Sequence, residues 1–332
     1  KSSVEKNNPK QFTNAKIVPG VIKDVINNET LQTILLSMQS GNNNPYKGLL
    51  DLILPLVDIS NTKIEVVPTL KGNGSYNPST NTIKINEQYL LKEPTLLQVN
   101  NIIIEEFLHS ITKNTIEEYV TIETIDNNGK LIYNFKEDKK APASLRTLML
   151  VYQQAIDQIV EEQGIQSVLN TINKFNNVKS DNDTSNSLVV NSQNELDAYR
   201  VSDIHEFIAG IFIKNSNFAK KMANVRYLKS DYSILQKFVE TIGKLFYNIL
   251  PNKRKDSISA ETLKSLYDFL IEHNDIKSKG SNVQESKFNN QENNKVVDDA
   301  MKLLDNENLT DKQSDEQNAP IENLIITVKT KC

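Results

Sequence analysis

Apolar residues recur at helical spacing over most of the chain. Between Val18 and about Ser40 they fall at Val21, Ile22, Val25, Ile26, Leu31, Ile34, Leu35 and Met38, which predicts a helix. Pro45 suits the first turn of a second helix, Tyr46 to Val57. Lys63 to Val67 and Thr82 to Asn86 alternate with β-branched residues and predict strands. The run from Lys71 to Asn81 between them is dense in turn formers, so a hairpin or small sheet edge is expected. Pro94 opens a long helical stretch through Leu96, Leu97, Ile103, Ile104, Phe107, Leu108 and Ile111. Tyr119 to Ile125 and Leu131 to Phe135 flank an Asn-Gly turn and predict a hairpin. Ala143 to about Phe175 reads as helix broken at Gly164, and Lys179 to Asn194 as a polar loop. Ser202 to about Val225, Tyr232 to Leu250 and Ser257 to Ile271 predict three further helices, with Pro251 ending the second.

This patterning describes an α+β, mostly helical domain over 18–276. A polar segment, 1–17, precedes it. A polar linker, 277–319, follows, too poor in apolar anchors to order itself despite a short amphipathic stretch from Val296 to Leu304. The tail, 320–332, holds a strand-like run from Ile321 to Val328. With 38% hydrophobic and 24% charged residues in 332, the chain is expected to be globular, not a collagen, a coiled-coil rod or wholly disordered. A net charge of −4 argues against general nucleic-acid binding. No apolar run approaches the roughly 20 residues of a membrane span, and no signal-like segment is visible. The chain begins at Lys1 and reads as a processed or excised piece. Its one cysteine, Cys332, excludes an intrachain disulfide. Lysine greatly outnumbers arginine, which occurs only at 146, 200, 226 and 254.

Histidine is scarce: His109, His205 and His273. In Glu105-Glu106-Phe107-Leu108-His109 the four-residue step puts Glu105 and His109 on one helical face. The metalloprotease motif His-Glu-x-x-His uses that step to hold one zinc ion, with its glutamate as general base. Here Glu105 replaces the first histidine, giving Glu-Glu-x-x-His. On spacing alone, a solvated glutamate pair beside a core histidine accounts for the same residues.

The segment Gly74 to Asn86 resembles one in phage- and bacterial-encoded zincin-like metallopeptidases, where a Tyr-x-Pro turn and a strand of alternating isoleucines precede the His-Glu-x-x-His helix. Pro45 to Leu50 also looks like that family. Ser202 to Phe212 is similar to the helix in which such enzymes place a glutamate as third ligand, and Asn215 to Phe218 resembles the Asn-Pro-x-Phe that follows it. The resemblance covers roughly 45–220. It implies a zincin-like fold with a small sheet and a long motif helix, with Glu105, His109 and Glu206 as metal ligands and Glu106 as general base. Gly210 stands where the family usually carries a second acidic residue.

Such a one-histidine, two-carboxylate set takes one divalent ion, zinc or the harder manganese or ferrous iron, or no metal at all. The implied function is a phage-type metallopeptidase domain, inside the host cell or in a virion, acting on a peptide or protein or contacting other virion proteins. Two alternatives stand beside it: an inactive pseudopeptidase with a structural or packaging role, and a helical adaptor. His205 is expected in packing or at the surface, and His273 at a helix end. Tyr76, Tyr199 and Arg200 offer side chains for substrate contact, but the sequence does not place them.

Overall fold

A computed structural model describes residues 15–41, 44–180, 190–226 and 257–280. Helices dominate, as the apolar periodicity requires, but several expected helices are divided. The first becomes α1 (Pro19–Asn28) and α2 (Leu31–Ser40). Glu29 and Thr30 are extended, and the Thr30 hydroxyl accepts from the Thr33 amide. A cap thus interrupts the helix while its apolar phase carries on. Next come α3 (Lys47–Ile53) and a 3₁₀ turn at Leu54–Leu56.

The strands β1 (Lys63–Val67), β2 (Gly74–Asn77) and β3 (Thr82–Asn86) form one sheet in the order β1-β3-β2. The expected hairpin of Lys63–Val67 with Thr82–Asn86 is corrected: these strands run parallel, pairing Ile64 with Ile83 and Val66 with Ile85. β3 pairs antiparallel with β2 instead, inside the run read as turn. The turn itself is short. The Asn77 side chain accepts from the Ser79 and Thr80 amides, and Asn81 is left-handed at φ 47°, which leaves Ser75 and Tyr76 free to alternate.

The short α4 (Glu87–Leu90) leads to the long α5 (Leu96–Ile116). Thr95 and Gln98 start α5 with a reciprocal capping box. The hairpin β4 (Val120–Ile125) and β5 (Leu131–Phe135) closes as expected, with Asp126 accepting from the Asn128 and Lys130 amides and Gly129 left-handed. Gly164 divides α6 (Ala143–Gln163) from α7 (Ile165–Ser180). Both ends of the expected polar loop prove helical, since α8 (Gln193–Arg200) already begins at Gln193. The helix expected over 202–225 is also two, α9 (Ile204–Phe212) and α10 (Asn217–Asn224), divided where Asn215 turns left-handed and Ser216 caps. α11 (Ile258–Gly280) runs past its expected end at Ile271 and packs along α6. The expected helix from Tyr232 to Leu250, the bulk of the 277–319 linker and the strand-like tail lie outside the described residues.

The architecture is α+β and mostly helical, around one hydrophobic cluster that runs from Ile17 to Leu270. α5 lies at its centre, packed on β2 and β3 and against α9. Among the described residues no helix is long and apolar enough to cross a membrane.

Candidate metal centre

Two buried tyrosines fix the helices that carry the site. The Tyr46 hydroxyl, ahead of α3, donates to Asn101 Oδ1 on α5 and accepts from the Lys214 amide beyond α9 at 2.9 Å. Asn101 closes the link by donating to the Lys214 carbonyl at 3.1 Å. Tyr152 on α6 donates to the Val201 carbonyl at 2.9 Å and stacks on Phe207 of α9. The corner between α8 and α9 is thereby held against α5.

From α5 the site receives Glu105, Glu106 and His109; from α9 it receives Glu206. The Asp203 side chain caps α9 by accepting from the Glu206 amide at 2.8 Å. Glu206 therefore sits in the first helical turn, where the helix dipole favours an anion. Ligand atoms of Glu105, His109 and Glu206 all lie within 4.8 Å of one another, and His109 Nε2 is 3.7 Å from Glu206 Oε2. Donors about 2.0–2.2 Å from a common ion stand within about 4.4 Å of each other, so shifts of a few tenths of an ångström suffice. His109 is buried, and its Nδ1 has no hydrogen-bond partner among the described residues. One imidazole and two carboxylates so placed could hold a metal ion.

Glu106 faces β2. A Cβ added at Gly74 would lie 2.9 Å from its Oε1 and 2.5 Å from Ile102 Cγ2, so only glycine lets the strand approach this closely. Burial, reinforced by the charges of Glu105 and Glu206, holds the Glu106 carboxyl well above the ordinary glutamate range. Compared with known proteins, the chain matches no family model, no curated protein and no solved structure. What the centre can do follows from its own residues.

The charge that spacing leaves crowded is met by α8. Arg200 Nη1 is bonded to Glu105 Oε1 and lies 3.3 Å from Glu206 Oε2, while the Tyr199 hydroxyl donates to Glu206 Oε1. Burial opposes the arginine's charge, but the two carboxylates outweigh it and keep the guanidinium cationic. Tyr199 and Arg200 are thus site residues that the sequence named without placing. A usable signal was present: Ser192-x-x-Glu195 has the spacing of a capping box and starts α8, with Ser192 Oγ accepting from the Glu195 amide. Tyr76 is elsewhere engaged, its hydroxyl donating to Asn81 Oδ1 at 2.9 Å.

The other histidines are structural. His205 Nδ1 lies 3.0 Å from Thr112 Oγ1, and burial drives its pKa down to about 4, so the ring is neutral. His273 is not at a helix end: α11 continues beyond it, and the ring is buried against Tyr119 and Phe269.

Proposed function

We propose that the chain is a metal-dependent peptide-bond hydrolase of zincin-like type, with Glu105, His109 and Glu206 holding one divalent ion. The observation that carries this reading is the convergence of those three donors from α5 and α9, with ligand atoms within 4.8 Å of one another. When bound, the ion supplies the Lewis acidity that peptide hydrolysis needs. Glu106 is the chain's own proton carrier: buried beside the cluster, it takes a proton from the attacking water and returns it to the leaving amine as the C–N bond breaks.

A second reading is favoured by one observation. Arg200 already bridges Glu105 and Glu206, and a centre filled by guanidinium describes a pseudopeptidase that keeps the scaffold for a structural role.

Elemental analysis of freshly purified protein, joined to a cleavage assay on unfolded protein substrates, separates the two. The enzyme reading expects about one metal per chain, with cleavage lost to chelation. It also expects Glu106→Gln to keep the metal and lose cleavage by about a hundredfold or more. Wild-type protein with neither metal nor cleavage leaves the pseudopeptidase reading standing.

A further inference from the structure

Arg200 does not reach the centre by chance of surface packing. Its stem runs through a notch that exists because position 210 is glycine: a Cβ there would lie 2.7 Å from Arg200 Cδ and 3.2 Å from Cγ. At the end of that stem, Nη1 engages Glu105 Oε1 and the same Glu206 oxygen, Oε2, that stands 3.7 Å from His109 Nε2. A divalent ion held by the three donors would share those oxygens with the guanidinium, and two cations so close in a buried site repel. The arginine thus engages both carboxylates of the three-donor set, and His109 Nε2 faces one of the same oxygens. Both carboxylates meet the same guanidinium nitrogen, Nη1, in a chain where arginine occurs at only four positions.

We propose that Arg200 is a built-in counter-ion that competes with the metal for Glu105 and Glu206, so that the centre holds one cation at a time. Loading then requires the guanidinium head to swing off both carboxylates while its stem stays in the Gly210 notch. The proposal rests on Glu105, His109 and Glu206 being a metal centre, and the test separates the two claims.

Arg200→Met keeps an unbranched stem in the notch and removes the charge. Metal-stripped wild type and variant are titrated with zinc against a chromogenic chelator, and their melting temperatures are recorded with and without zinc. The variant is expected to bind zinc about tenfold more tightly or better, and to gain more melting temperature on zinc addition than wild type. Gly210→Ala, which crowds the stem and pushes the head away, is expected to shift affinity the same way; it carries the test alone should Arg200→Met not fold. If wild type takes no zinc and the variants do, the counter-ion role stands and a resident metal in the wild type falls. If wild type binds zinc and neither variant binds it more tightly, the counter-ion role is overturned and the metal centre stands. If none of the three binds zinc, both are overturned.

Discussion

Glu106 and His205 are pulled in opposite directions by the same cause, burial, and each leaves a signature in stability. The folded chain holds the Glu106 proton that the unfolded chain releases from about pH 4.5 upward. Stability from this residue is therefore full below that pH and declines as pH rises toward the elevated folded value. In metal-free protein, Glu106→Gln should match wild type in acid and melt progressively higher than it as pH rises above the ordinary glutamate range. Parallel melting curves would mean that Glu106 ionises freely in the fold. For His205 the sign reverses: its contribution is present above the ordinary 6.5 and is lost as pH falls toward about 4. His205→Gln should remove that acid sensitivity, which amounts to about 1.4 kcal/mol per pH unit inside the window. Chemical denaturation at three or four pH values reads both. At this scale the sequence exposed the Glu105–His109 step, because helical geometry follows from spacing alone. It named Arg200 but did not place it, because the packing of its stem against Gly210 is a contact that no local pattern encodes.

Glycine also decides how closely β2 meets α5. Gly74→Ala would place a methyl 2.5 Å from Ile102 Cγ2, and overpacking of that kind costs about 1–3 kcal/mol. Gly20, near the start of α1, has nothing within 4 Å of an added Cβ. Gly20→Ala should therefore be neutral or stabilise by up to about 1 kcal/mol. Equal effects from the two substitutions, read by urea denaturation, would contradict the close strand–helix contact. The elements themselves were readable wherever period and punctuation agreed, as at Gly164 and the Asn128-Gly129 turn. They were hidden where a cap preserved the apolar phase, as Thr30 does between α1 and α2. Parallel pairing of β1 with β3 was hidden for another reason: alternation marks a strand but says nothing about its neighbour's direction.

Across the whole molecule one apolar cluster joins the sheet, α5, α6 and α11. Unfolding should accordingly be a single transition over the described parts. Leu266→Ala on α11, fully buried, should move all of it by about 2–5 kcal/mol, with helix content and tyrosine signals shifting together. Separate transitions would show that α11 and the sheet fold apart. The centre belongs to this long-range architecture, for Glu105 and its arginine are 95 residues apart along the chain. During synthesis the ribosome therefore delivers the acidic face of α5 long before the arginine that bridges Glu105 and Glu206. A nascent chain that has emerged only as far as α7 carries Glu105, Glu106 and His109 but neither Glu206 nor Arg200. Closing the centre therefore has to wait until α8 and α9 have been made. Whichever cation ends up there testifies that both halves of the chain have met.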